Sequence, residues 1–493
     1  MLKQLLSSNS NGLGNFYCRR SSVLPDDVLL EIFHFCQIEG NIHITSFRPG
    51  SYWLTLVHVC RRWRQIVLAS PRRLDLTLFC TFGTVTPVRK NLGLLPAFPI
   101  IVDYLTFSDF SSSPEYNDDI VAALEHSDRV RTIKLVVTNS MLGMLASVTQ
   151  ESFAALTTLW LSSKDLNAPV VPDVFLTGPV PRVRQIFLEG ISFTTLPTLL
   201  SSASNLCDLQ LEDIPQSGYI SPEVMATSLA PLNRLHTLYI CFKTPISRLQ
   251  SRSSPVAMRY VLPSLVTLNF RGSSEYLEHL LAQIDTPRLC GINITYFNQL
   301  DFLVPQLSQF ISRTETLGLA QSQQVHGRIH IGNLYVGLDF AEEVHHGSRL
   351  TLRLSCKWLD WQVLHLAQIL AQSPATVSKV AHLSIDENDL QVDPGWKDSM
   401  DDTDWLELLR PFTAVKRLHG SERLARNIAL ALDGVCGDMI TEVLPALTSL
   451  SLEDLLVRSV ERFLDARQIS GHPVTFVGPG MCELYLQSSF QTL

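Results

Sequence analysis

L-T-T-L-W-L at residues 156–161 and L-H-T-L-Y-I at 235–240 share one pattern: apolar, two variable positions, apolar, one variable position, apolar. Its second half alternates as a strand does when one face is buried, because successive side chains of an extended chain point to opposite sides. The pattern returns as V-R-T-I-K-L at 130, V-R-Q-I-F-L at 183, L-C-D-L-Q-L at 206, L-V-T-L-N-F at 265, L-C-G-I-N-I at 289, V-A-H-L-S-I at 380 and L-T-S-L-S-L at 447. One such hexad says little in a chain that is 46% hydrophobic. Recurrence is the signal: between 130 and 294 the intervals run roughly 23 to 30 residues. Pro181, Pro231, Pro263, Pro287 and Pro445 each stand shortly before a hexad.

The intervals hold stretches with helical periodicity at 222–229, 275–284, 361–371 and 455–467. Strand, turn, helix and turn at a fixed period predict an α/β solenoid, with parallel strands stacked side by side and helices outside. That is the leucine-rich-repeat pattern in divergent form, and it is assigned to 130–470. An Asn or Cys three residues past the last apolar position follows only the 380 hexad, at Asn388. Between 300 and 380 the period blurs into partial matches, T-E-T-L-G-L at 314 and L-T-L-R-L at 350, so an irregular α/β layer is the alternative. Residues 76–129 read as a connecting or capping region, and 471–493 as a cap or tail.

The N-terminal texture is different. Residues 1–20 are rich in Ser, Asn and Gly and read as a disordered N-terminus. In L-P-D-D-V-L-L-E-I-F (24–33), Pro25 suits a first helical turn and Asp26, Asp27 and Glu31 place negative charge near the helix start. Val28, Leu29, Ile32 and Phe33 then make an apolar stripe. After a Gly- and Pro-punctuated link at 37–51 comes L-V-H-V-C-R-R-W-R-Q-I-V-L-A-S-P-R-R-L (56–74). At helical spacing Leu56, Val59, Cys60, Trp63, Ile66 and Val67 share one face, with His58, Arg61, Arg62 and Gln65 opposite; Ser70-Pro71 ends the run. Residues 21–75 are thus expected to form a small helical module with two exposed apolar stripes and a solvated arginine face.

A net charge of −8 argues against a dedicated nucleic-acid binder. The ten cysteines show no C-x-x-C spacing, so they read as buried small hydrophobes in a reducing compartment. The first residues lack a secretory h-region and no uncharged apolar run reaches membrane length, so the expected setting is soluble, away from membranes, in cytoplasm and/or nucleus. Phosphate loops and nucleophile elbows are missing. His326, His330, His345 and His346 lack the Glu of a zinc helix, and Asp401, Asp402 and Asp404 read as helix N-terminal charge. No catalytic residue, metal or cofactor is expected, and the chain reads as a non-enzyme.

L-P-D-D-V-L-L-E-I-F, followed by L-x-x-V-C-R-R-W-R-x-I (56–66) and S-P-x-x-L (70–74), resembles an F-box. The whole chain is similar to the F-box-plus-leucine-rich-repeat proteins abundant in mushroom-forming fungi. The resemblance implies docking on a Skp-type adaptor, and through it on the cullin and RING subunits of an SCF-type ubiquitin ligase. Matched residue by residue, it implies adaptor contacts from Leu24, Pro25, Val28, Leu29, Ile32, Phe33, Val59, Cys60, Trp63 and Ile66, with Trp63 as the large anchor. The link at 37–51 is longer than the family's compact form.

On this reading the repeats present a protein substrate. The variable residues between the last two apolar positions, Trp160, Gln210, Tyr239, Asn269 and Asn293, point away from the core and are the candidate contacts. The alternative function is a non-degradative repeat scaffold that binds the adaptor or other proteins without cullin.

Overall fold

The computed structural model describes residues 24–40, 52–70, 73–74, 76–81, 88–95, 98–105, 114–245, 259–297, 299, 302, 304–317, 325–331, 336–342, 349–355, 359–372, 377–387, 401–435, 439–453 and 457–478. They divide into two compact units, Met1–Leu206 and Cys207–Leu493.

The first unit opens with three helices, α1 (Asp26–Gly40), α2 (Tyr52–Val59) and α3 (Arg61–Ala69). Strands β1 (Leu78–Cys80), β2 (Ile100–Tyr104), β3 (Val130–Val136), β4 (Thr158–Ser162) and β5 (Gln185–Glu189) follow, with helices α4 (Val88–Leu94), α5 (Pro114–Leu124), α6 (Asn139–Val148) and α7 (Leu196–Ser202). The strands pair in chain order and in parallel. Register stacks like on like: Cys80, Val102, Ile133, Leu159 and Ile186 align across five strands and are almost fully buried. Each repeat alone would leave its apolar row open, and its neighbour closes it.

The repeat ladder therefore begins at β1. The region 76–129, read as a connecting or capping region, holds two further strands of the same sheet. Neither carries the full hexad, since β1 is only three residues long and β2, Ile100–Tyr104, follows Pro99 without the leading apolar residue.

The second unit holds β6 (Asp208–Ile214), α8 (Pro222–Leu229), β7 (Thr237–Phe242), β8 (Tyr260–Val261), β9 (Thr267–Gly272), α9 (Ser274–Gln283), β10 (Ile284–Asp285), β11 (Gly291–Tyr296) and α10 (Pro305–Arg313). It continues with β12 (Val325–Ile331), β13 (Val336–Glu342), β14 (Arg349–Leu354), α11 (Leu359–Ala371), β15 (Val380–Glu387), α12 (Asp402–Leu409) and β16 (Arg417–Gly420). Last come α13 (Glu422–Asp433), α14 (Met439–Glu442), β17 (Ser449–Leu452), α15 (Glu461–Ile469) and β18 (Thr475–Val477). The order is β6-β7-β9-β11-β14-β13-β12-β15-β16-β17-β18, with β8 and β10 pairing separately. All neighbours are parallel except that β13 runs antiparallel to both β12 and β14. A three-strand meander laid down in reverse thus interrupts the repeat where the period blurs.

The described part of the partial match at 314 is a turn. Glu315–Leu317 forms a 3₁₀ turn, and Thr316 Oγ1 donates to Pro287 O and Leu289 O at 3.2 and 2.9 Å. The strand of that repeat is instead V-H-G-R-I-H-I, strictly alternating from Val325. Gly327 falls in its apolar row, where a Cβ would sit 3.0 Å from Val380 Cγ1, and its cross-strand partner is the bulky Phe340. The ladder also runs past 470, since β18 pairs with β17. Asn388, His345 and His346 lie outside the described residues.

Buried turns leave carbonyls that need donors. Arginines supply them. Arg129 reaches Leu95 O and Phe98 O (2.6 and 2.9 Å), and Arg313 reaches Leu281 O and Ile284 O (2.6 and 2.8 Å). Arg467, fully buried, reaches Ile440 O and Leu447 O (3.0 and 3.1 Å). Helix starts are met in kind. Asp401 caps α12 in a reciprocal box with Asp404, and hydrogen bonds from Thr403 and Asp404 hold its carboxyl below the ordinary value.

Glu278 of α9 caps a different helix. Its carboxylate accepts from Gln306 N and Leu307 N at 2.6 and 2.9 Å, in the first turn of α10. Burial raises this carboxyl to about 7, against the two backbone donors, which lower it. The folded chain then holds the proton more tightly than the unfolded chain. Between the ordinary carboxylate range and about 7, the folded state binds more protons, so stability falls as pH rises. Amide protection in α10, corrected for intrinsic exchange, is expected to drop between pH 5 and pH 8. In Glu278→Gln that dependence is expected to disappear. Protection that rises with pH in the parent chain would contradict the assignment.

Candidate functional site

Two surfaces stand out, one on the helical module and one on the strands. In the module the first predicted stripe divides. Leu29, Leu30 and Phe33 are buried, at 2%, 6% and 1% exposure, while Leu24, Val28, Ile32 and Phe35 are 38%, 41%, 40% and 62% exposed. Neighbouring positions on a helix differ by about 100°, so a stripe of adjacent pairs is wide enough to face both inward and outward. Leu24, Val28, Ile32 and Phe35 recur at helical spacing and leave one side of α1 apolar and uncovered; Pro25 is exposed beside them.

The second stripe divides for another reason. Cys60 is extended (φ −158, ψ 170) and breaks the predicted single helix into α2 and α3. Val59 turns outward, 48% exposed, whereas Ile66 and Val67 are buried and Cys60 is half-buried. Leu29, Phe33 and Ile66 are therefore interior positions of the module. Trp63 is half-buried and its ring meets Phe33 edge-on, centroids 4.6 Å apart. Its indole Nε1 is buried without a hydrogen-bond partner among the described residues. The large anchor holds α3 to α1 within the module.

The arginine face is not simply solvated. Arg62 Nη2 contacts Asp26 Oδ1 and Leu24 O, both at 2.6 Å, and Arg64 Nε donates to Val57 O at the end of α2 (2.9 Å). Arg73 bonds Glu31 and Asp27 at 2.7 and 3.1 Å, in that order of effect, and both raise its pKa. The acidic start of α1 is thus the receptor for basic residues thirty to fifty positions later, a pairing invisible to local periodicity.

The strand face carries the second surface. In the first unit Asp103, Lys134, Trp160 and Phe187 align in register. Lys134 Nζ lies 3.8 Å from Asp103 Oδ2, and Trp160 stacks on Phe187 at 3.9 Å. In the second unit Gln210, Tyr239, Asn269 and Asn293 form one row, continued by Thr351, Asp339, Arg328, Ser384, His419 and Ser451. All five candidates are half-buried on the side away from the apolar rows. None stands alone: Asn293 Nδ2 donates to Asn269 Oδ1 (2.6 Å), and Gln210 Nε2 donates to Asp208 (3.0 Å). Burial, the first of several causes, pushes the Tyr239 phenol up to about 12.

Sequence reading missed the charged part of this row. Arg328 pairs with Asp386 (3.0 Å), His330 with Asp339 (3.1 Å), His419 with Glu453 (3.3 Å), and His326 stacks on His382 (4.6 Å). The signal was there in strict alternation, His326-x-Arg328-x-His330, but lacked the hexad's leading apolar residue. Among the described residues no three His, Cys, Asp or Glu side chains are placed to hold a metal ion, and no helix is long and apolar enough to cross a membrane. Burial drives the Cys80 thiol up to about 12.

No family model matches the chain, and no curated protein matches it. Among solved structures it is similar to the leucine-rich repeat-containing protein LegL7 from Legionella pneumophila, at 12% identity, covering 81% of this chain and 99% of that chain, with a TM-score of 0.26. The repeat architecture described above stands on its own strand registers.

Arg62→Ala removes a charge-assisted bond and a carbonyl contact, and is expected to weaken the module by about 1 kcal/mol. Exposed Arg61→Ala should change it by less than about 0.5 kcal/mol. Amide exchange across α1 and α3 in the full chain measures both. Equal effects would mean that the Arg62–Asp26 contact contributes nothing.

Proposed function

We propose that the helical module is an F-box-type unit that docks on a Skp-type adaptor, while the strand face holds a protein substrate. The chain then serves as the substrate-recognition subunit of an SCF-type ubiquitin ligase, completed by cullin and RING subunits. One observation carries the docking half: Leu24, Val28, Ile32 and Phe35 expose a continuous apolar line on a module whose interior is already filled. Exposed apolar surface of this kind marks an interaction site. The F-box-like order of Leu24-Pro25 and Val59-Cys60-x-x-Trp63 supplies the partner class.

The substrate half rests on side-chain ladders. A row of aromatic, amide and charged residues held by its own neighbours is pre-ordered, so a partner meets it without first having to fix it.

Val28→Ala with Ile32→Ala is expected to weaken adaptor binding by about 2–4 kcal/mol while far-UV circular dichroism stays unchanged. Trp63→Ala, which empties the contact with Phe33, is expected to lose helix along with binding, at about 3 kcal/mol of module stability. Unchanged affinity in the double variant overturns the docking reading. Capture of adaptor without cullin by the parent chain would leave a repeat scaffold in place of a ligase subunit.

A further inference from the structure

On the strand face of the first unit, Trp160 and Phe187 stand side by side in register, stacked at 3.9 Å and both half-buried. The row before them begins with half-buried Phe79 and Ile101 and continues through Thr132, Thr158 and Gln185. A face turned away from the core thus carries large apolar side chains beside hydroxyl and amide groups.

Glu189 stands two residues past Phe187 on β5, so its side chain leaves the same face roughly 7 Å further along the strand. Its register partner is the small Ser162, itself two residues past Trp160. The Glu189 carboxylate is half-buried and has no hydrogen-bond or ion-pair partner among the described residues. The other charged side chains of these strands are engaged. Lys134 lies 3.8 Å from Asp103, and Arg131, at the bulge of β3, has an interaction of its own.

A spare carboxylate beside a pair of aromatic rings selects its occupant. An acidic segment would meet Glu189 as a like charge, and a purely apolar one would cover that carboxylate without answering it. A methylene stem that ends in a cation satisfies both parts, lying along the rings with its head at the carboxylate. Arginine fits better than lysine, because its planar guanidinium meets a carboxylate through two parallel bonds and stacks on aromatic rings.

We propose that the face of β4 and β5 binds an arginine side chain of the protein substrate, its stem on Trp160 and Phe187 and its guanidinium at Glu189. The proposal rests on the reading of the strand face as the substrate-holding surface and is independent of adaptor docking.

Saturation-transfer NMR on the full chain tests this with a capped peptide of glycines around a central arginine, and with the same peptide carrying citrulline. Citrulline keeps the shape of arginine without its charge, so this comparison needs no variant. Saturable binding of the arginine peptide is expected, with the citrulline peptide weaker by at least about fivefold. Glu189→Gln is expected to abolish that preference and Trp160→Leu to weaken both peptides, with adaptor affinity unchanged in each variant. Equal binding of the two peptides by the parent chain, a preference kept in Glu189→Gln, or no saturable binding of either peptide would overturn the proposal. Of these, equal binding that is lost in Trp160→Leu would leave the strand face a binding surface and remove the arginine assignment alone.

Discussion

In-register pairing of parallel strands is the constraint on which the rest of this protein depends. A strand whose inner residues are Leu-x-Leu can bury them only if the next strand offers the same residues at the same height. Leu209, Leu238, Leu268, Ile292 and Leu350 do this across five strands of the second unit. Even the meander obeys it: β13 runs backwards, yet Phe340 and Leu338 still fall into the two apolar rows. Where Phe340 is large its partner Gly327 is small, so the row keeps its width.

Stacking repeats brings a second problem, because every turn that ends up indoors carries carbonyls without donors. The chain meets it with long side chains sent back from the following repeat. Arg129, Arg313 and Arg467 each bond carbonyls twenty or more positions earlier, and Asn205 and Thr316 do the same for Pro181 and Pro287. Three of these groups are arginines drawn partly out of water, which lowers their pKa yet leaves them charged.

The helical module applies the same economy at smaller scale. Cys60 interrupts the helix, which sends Val59 to the surface and keeps Trp63 against Phe33. Arg62 and Arg73 are then paired with Asp26, Asp27 and Glu31, so part of the charge that looked solvated ties α3 and the turn after it to α1. Leu24, Val28, Ile32 and Phe35 of the module stay outside although they are apolar, the reverse of what a self-sufficient helical unit would display.

Periodicity by itself determined the class of this protein: hexads at 130–294, at 380 and at 447 are parallel strands, and the helix at 222–229 has the bounds its spacing implied. The placing of Asp401, Asp402 and Asp404 at a helix start was equally legible, because such charge acts within the first turn. Tertiary structure alone decided whatever depends on distant partners. That includes the membership of β1, β2 and β18 in the ladder, the reversed order of β12–β14, the inward fate of Leu29, Phe33 and Ile66, and the pairing of Arg62 with Asp26. The physical reason is the same in each case. Local pattern states that a residue must be buried or paired, whereas which surface buries it, and which charge answers it, is chosen only when segments far apart in the chain meet.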